Sequence, residues 1–385
     1  MRAPCLVSLV SLVSLVSPVS RVGVAGQVGV AGLLLAASTA IAAAALGAMA
    51  TGCSRSRKAQ ARRVTPTVSS VDPVEALLEA GAPAAPSASA SASASARNEA
   101  FRKAFALHDA GCQGGDWADC VDLGIDYDDG RGVAQDQAKA ATLYKTGCDH
   151  AVPAGCTNLG LVYDNGNAVS KDVARAAVLY KRGCDGGSPL GCNNLGIDYK
   201  DGTGVAQDDV KAARLFTKAC DLENADGCTN LGYMRSQGRG VPLDPALATD
   251  LYRRACEAGS AQGCHNLAWR YEHGAGLTRS EGEALPLYDK GCSLGLAIAC
   301  NNEGYLYEHG AEIPHDMDKA VSLYAKACAM KESNGCNNVG EMYEAGHGVP
   351  QDPAKAAKYY GEACDAGLAR ACTNLGQLQQ SGKVR

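Results

Sequence analysis

Cysteines fix a register on this chain before any other feature does. One set falls at Cys112, Cys148, Cys184, Cys220, Cys256, Cys292, Cys328 and Cys364. A second set follows eight residues later, at Cys120, Cys156, Cys192, Cys228, Cys264, Cys300, Cys336 and Cys372. The 36-residue period is kept eight times without an insertion. A fixed period of this length marks a stacked array, in which each unit buries its apolar face only against its neighbours. Composition agrees. With 46% hydrophobic residues, only 5% aromatic, and 45 glycines, the chain suits many thin layers packed closely, not one large core.

Each period predicts two helices. In the third, Cys192, Leu195, Gly196 and Tyr199 recur at i, i+3, i+4 and i+7, one face of a first helix. Gly202 and Gly204 end it, and Asp208 caps the start of a second. The same capping position holds Asp136, Asp172, Asp244, Ser280, Asp316 and Asp352. The second helix carries its own stripe, Ala212, Leu215, Phe216, Ala219 and Cys220. The array begins on a half repeat, Asn98–Cys112. It ends on a truncated one whose Gln377 and Gln379 replace apolar residues, as a terminal cap requires.

Within a repeat the first cysteine ends one helix and the second lies in the first turn of the next, antiparallel one. Helix packing at 8–10 Å brings such Cα atoms to about the 5–6 Å that a disulfide spans. The expected pairs are Cys112–Cys120, Cys148–Cys156, Cys184–Cys192, Cys220–Cys228, Cys256–Cys264, Cys292–Cys300, Cys328–Cys336 and Cys364–Cys372. Each closed loop contributes about 2.6 kcal/mol at most by chain entropy. Zinc is the competing reading, but no C-x-x-C spacing occurs. No metal and no cofactor are expected.

So many cysteines point to an oxidising compartment, and the N-terminus agrees. Val22–Gly52 is uncharged, follows Arg21 and ends at Cys53. A basic flank, an apolar run and small residues describe an export signal over residues 1–53. Leu46-Gly-Ala-Met-Ala-Thr-Gly-Cys53 resembles a bacterial lipobox, in which Cys53 would be acylated, although Ala50 stands where Leu is preferred. A plain signal peptide and an uncleaved membrane helix are the alternatives, and export is common to all three. Residues 54–98 read as a disordered tether. Arg55, Arg57, Lys58, Arg62 and Arg63 lie next to anionic headgroups or in solvent, and the Ser-Ala run that follows has nothing to bury. Removing residues 1–53 leaves 34 basic side chains against 41 acidic, a mild acidity that argues against nucleic acid as partner.

Gly191-Cys-Asn-Asn-Leu-Gly-Ile-Asp-Tyr-Lys-Asp-Gly-Thr-Gly-Val205, with its tandem copies over residues 98–385, resembles the Sel-like branch of tetratricopeptide-type repeats. It resembles in particular the Helicobacter cysteine-rich proteins. The resemblance implies an all-α, right-handed α/α superhelical solenoid with one disulfide per repeat. It also implies either peptide or protein binding in a concave groove, or weak penicillin binding with β-lactamase activity. Glu303, where the family has Leu, and Arg235, where it has Tyr, depart from the pattern.

No catalytic residue is assigned. A serine β-lactamase needs S-x-x-K, which is absent from the sequence, and Lys145-Thr146-Gly147 reads as a helix C-terminus. His273 and His309 precede helix-terminating glycines, where the helix dipole favours them without a metal. Glu303 in a core slot either tilts outward to a cation or carries a raised pKa.

The most informative polar feature is an amide ladder: Asn158, Asn194, Asn230, Asn266, Asn302, Asn338 and Asn374, once per repeat. On the same flank, three residues on, stand Tyr233, Trp269 and Tyr305. Such amides either grip a peptide backbone or lock the stack; both readings stand at this level. The chain therefore reads as an exported scaffold, lipid-anchored to a bacterial membrane on its periplasmic or surface side. It would bind a peptide or protein in its groove. A weak β-lactamase-type hydrolase and a respiratory-complex assembly factor are the alternatives.

Overall fold

The computed structural model describes residues 88–384. Cys53, the basic cluster and the tether before Ala88 lie outside the described residues. Helix α1 (Ala88–Gln113) opens the array. First helices follow as α2 (Trp117–Asp129), α4 (Pro153–Asn165), α6 (Pro189–Asp201), α8 (Ala225–Gln237), α10 (Ala261–His273), α12 (Ala297–His309), α14 (Ser333–Ala345) and α16 (Ala369–Gln380). Second helices alternate with them as α3 (Gln137–Asp149), α5 (Val173–Asp185), α7 (Asp209–Asp221), α9 (Pro245–Glu257), α11 (Glu281–Ser293), α13 (Met317–Ala329) and α15 (Pro353–Asp365). The described residues form no strand, and none of their helices is long and apolar enough to cross a membrane.

The signals that start and stop these helices act as the sequence predicts. Asp208 accepts a hydrogen bond from the Lys211 backbone N–H at 3.0 Å, and the aspartates at the matching positions do the same. Gly202 ends α6 in the left-handed conformation at φ 74°. In most repeats the two helices meet at a glycine, and in the fifth at Ala268. A Cβ added at Gly196 would lie 2.6 Å from the Phe216 ring, so the small residue is what lets the backbones approach. Phe216, or Tyr in the other repeats, fills each layer: Tyr180, Tyr288 and Tyr324 are fully buried. A ring of this kind stabilises its layer by roughly 1.5–3 kcal/mol.

All eight disulfides form within repeats, with Cα separations between 4.4 and 4.7 Å. That is closer than helix spacing suggests, because a left-handed residue folds each turn tightly; Gly187 at φ 98° is one example. Direct contact between like helices of successive repeats is made by the first helices, which therefore line the inner face.

One expectation needs correction. The initial helix begins at Ala88, not Asn98, and takes ten residues from the stretch read as tether. Alanine is the strongest helix former, so a helix nucleated over 98–113 propagates back through the Ser-Ala run. The sixth repeat also departs from the others at its internal turn. Glu312 stands where most repeats have a left-handed Gly, and α12 ends on Gly310 in extended conformation (φ −60°, ψ 138°). The rerouted turn is held by a reciprocal exchange: the Glu312 N–H donates to Glu281 Oε2 (2.8 Å) and the Glu281 N–H to Glu312 Oε2 (2.9 Å).

Candidate functional site

The inner face is built from the first helices, and the amide ladder runs along it at the repeat junctions. Asn230 Nδ2 donates to Asn193 Oδ1 at 2.9 Å, 37 residues back and one repeat away. Asn338 and Asn374 donate in the same way to Asn301 and Asn337, and Asn302 donates to His265 Nε2 at 3.1 Å. Where the receiving position holds Thr, a different latch forms, 31 residues apart: Thr157 with Ser188 at 2.9 Å and Thr229 with Ser260 at 3.1 Å. Every junction from the second repeat onward thus carries one polar latch. Each such bond contributes on the order of 1 kcal/mol.

This placement separates the ladder residues. Asn194 and Asn230 are buried, so their amides are enclosed in the stack and not presented to a ligand. Asn158, Asn266, Asn302, Asn338 and Asn374 are half-buried at the inner surface. His265 is buried, which pushes its pKa down to about 4. The neutral ring accepts from Asn302 at Nε2, so its proton resides on Nδ1, 3.3 Å from Asn266 Oδ1.

The aromatic anchors also part ways. Tyr233 packs against the core, whereas Trp269 is 42% and Tyr305 47% exposed. Each exposed ring stacks on the histidine one helical turn ahead. Trp269–His273 centroids lie 4.3 Å apart and Tyr305–His309 centroids 4.6 Å apart. The stacking was not legible in the dipole argument for these histidines, although the i, i+4 spacing was there to read. A shallow cleft is lined by Glu272, His273, Arg279, Glu281, Tyr305 and His309. Arg279 is engaged with Glu281 at 2.7 Å. Glu272 and Glu308 accept hydrogen bonds from the Tyr288 and Tyr324 hydroxyls at 2.5 and 2.7 Å. Burial and the adjacent carboxylates push both tyrosine pKa values upward, so the phenols stay protonated donors.

The remaining polar features have structural partners or none. Lys145 binds Asp149 and the Thr146 hydroxyl binds Thr142 O, both within the last turns of α3. Glu303 is buried with Oε2 unpartnered, and burial together with the Asp289 charge pushes its pKa up to about 7. Arg235 takes part in an exchange of types. In five repeats a second-helix cation sits over a first-helix tyrosine, as Arg175 over Tyr163 at 4.3 Å and Lys319 over Tyr307 at 4.8 Å. In the fourth repeat the first helix carries Arg235 and the second carries Leu247 in those places. Cys328, Cys336 and Glu362 lie close together, but both sulfurs are in one disulfide and offer no thiolate to a metal.

The Sel1 repeat profile matches seven consecutive segments, residues 119–151, 153–188, 189–224, 225–260, 261–296, 297–331 and 333–368. The chain belongs to the Sel1 repeat family. Among solved structures, this Sel1 repeat chain is similar to c5321, described as a protective antigen of uropathogenic Escherichia coli with an SLR fold. The identity is 28% and the TM-score 0.57, covering 79% of this chain and 64% of that one. The chain thus spans just under two thirds of that protein's length. A Sel1 repeat protein from Oxalobacter formigenes matches at 30% identity and TM-score 0.56, covering 60% of this chain and 94% of that one. Helicobacter pylori cysteine rich protein B is 27% identical over 34% of this chain and 94% of its own, with a TM-score of 0.29. A comparison with curated proteins finds no match.

Proposed function

We propose that this Sel1 repeat protein is an exported, membrane-tethered scaffold that holds a peptide or protein against the inner face of repeats three to seven. The observation that carries the reading is the exposure of Trp269 and Tyr305 on that face, while the layer-filling tyrosines of the second helices are buried. Large aromatic side chains on a rigid frame supply most of the binding energy at many interfaces at little entropic cost. The half-buried amides of Asn266, Asn302 and Asn338 flank them and add groups for a ligand backbone.

Eight disulfides fit an oxidising, extracytoplasmic compartment. Acylation at Cys53, with the segment up to Ala88 as tether, would hold the array to the membrane while leaving its inner face free.

Crosslinking capture from native membranes tests the binding role. Trp269→Ala should weaken partner binding by about 1–2 kcal/mol with the thermal midpoint unchanged. Equal capture by wild type and variant would overturn the assignment. Fractionation tests the anchor: Cys53→Ser should move the protein to the soluble fraction, and a variant that stays with the membrane would favour an uncleaved helix.

A further inference from the structure

Charge is partitioned between the two layers of the array. The first helices carry 14 acidic side chains and 4 basic ones; the second helices carry 12 acidic and 15 basic. Of the four first-helix cations, Arg270 is buried and spends its guanidinium on Thr249 Oγ1 and Pro245 O, both at 2.7 Å. Lys200 is largely enclosed beside Asp201. Of the acids, Asp126, Asp164, Asp198 and Glu303 are buried. The first-helix layer still carries an acidic excess, and the second-helix layer is balanced to slightly basic.

The exposed aromatic rings lie inside that acidic field. Glu272 adjoins the Trp269–His273 pair and Glu308 adjoins the Tyr305–His309 pair, one repeat further on. Each carboxylate is fixed by a buried tyrosine hydroxyl, so it is already oriented before any ligand arrives. The nearest cation in the cleft, Arg279, is neutralised by Glu281. Ring faces are the negative poles of their quadrupoles, and an ammonium or guanidinium over Trp or Tyr gains most when a carboxylate stands beside it. An anionic ligand would meet repulsion from both carboxylates.

Resting on the groove reading above, we infer that the occupant is a basic segment of a separate protein, with Lys or Arg side chains seated against Trp269 and Tyr305. Glu272 and Glu308 provide the counter-charge. The repeat-to-repeat recurrence of ring, histidine and carboxylate gives two equivalent positions, which suits a segment with two cations spaced along an extended backbone.

Selection of a random peptide library on the full chain, followed by calorimetric titration of the enriched peptides, decides the matter. Enriched peptides should carry net positive charge and bind more weakly as salt rises. Glu272→Gln with Glu308→Gln should weaken them at least tenfold. Glutamine keeps an oxygen for the tyrosine hydroxyls, and an unchanged thermal midpoint would confirm that folding is preserved. Neutral or acidic peptides that depend on Trp269 but not on the two glutamates would overturn the cationic occupant and leave the groove reading intact. No enrichment, or enrichment indifferent to Trp269→Ala, would overturn both. The chain's own Arg55, Arg57, Lys58, Arg62 and Arg63 are the rival source of cations. If replacing all five with Gln raises peptide affinity more than fivefold, that segment occupies the site and the separate partner is overturned.

Discussion

Asn230 Nδ2 donates to Asn193 Oδ1 at 2.9 Å, and this bond joins two repeats whose backbones share no hydrogen bond at that point. Both residues are buried, so losing either leaves the other without water as a substitute. Asn230→Ala should therefore destabilise the array by about 1–2 kcal/mol in chemical denaturation. A double-mutant cycle with Asn193→Ala should return a coupling near 1 kcal/mol. Asn266 bonds within its own helix, to Gln262 at 2.8 Å, and is half-buried. Asn266→Ala should consequently cost less than Asn230→Ala. Equal costs would mean that the junction bond contributes nothing specific.

The layer tyrosines and the acids 16 residues before them form a second recurring pair. Tyr324 donates to Glu308 at 2.7 Å and Tyr360 to Glu344 at 2.9 Å. In the third repeat the acid is Lys200 and the ring is Phe216, so both members change together. Phe216→Tyr alone should destabilise, because the new hydroxyl gains no acceptor. Combined with Lys200→Glu it should recover about 1 kcal/mol. Thermal denaturation of the single and double variants is the check, and additive effects would refute the pairing.

Glu303 links stability to pH. Its pKa is raised from the ordinary 4.5 to about 7 in the folded chain. Below 4.5 both states are protonated and no penalty exists. As pH rises from 4.5 towards 7 the unfolded chain ionises while the folded one holds its proton, so stability falls. Above 7 the loss is complete, about 3 kcal/mol. Glu303→Leu should thus stabilise far more at pH 8 than at pH 4 in urea titrations. An equal gain at both values would show that packing, not charge, sets the cost.

The turns supply a backbone prediction. Gly115, Gly187, Gly259, Gly295 and Gly367 occupy the left-handed position between a first and a second cysteine, while Glu223 holds it at φ 63° and Lys331 at φ 68°. A side chain in that region costs on the order of 1 kcal/mol, partly offset by the greater unfolded-state freedom of glycine. Glu223→Gly and Lys331→Gly should each raise the thermal midpoint, by an amount corresponding to a few tenths of a kcal/mol up to about 1. A lowered midpoint for both would contradict the assigned turn.

What the sequence determined by itself is everything that repeats. The 36-residue register, the two helices of each unit, the aspartate caps and the cysteine pairs follow from local spacing, and the same local physics acts in every copy. The junction latches were legible in principle: Ser188 and Ser260 occur directly after the repeats that carry Thr157 and Thr229, and Asn193, His265, Asn301 and Asn337 stand in place of Thr in other inner repeats. Tertiary structure alone decided which members of a register are presented. Ile197, Tyr233, Trp269 and Tyr305 hold equivalent positions, yet Ile197 is buried, Tyr233 packs on the core, and Trp269 and Tyr305 stand open. Likewise Asn194 and Asn230 are enclosed where Asn266 reaches the surface. Burial at those positions depends on side-chain size and on the neighbouring repeat at once, a distance of 31 to 37 residues along the chain. A periodic pattern fixes a residue's direction, but its exposure is set by what the next layer places over it.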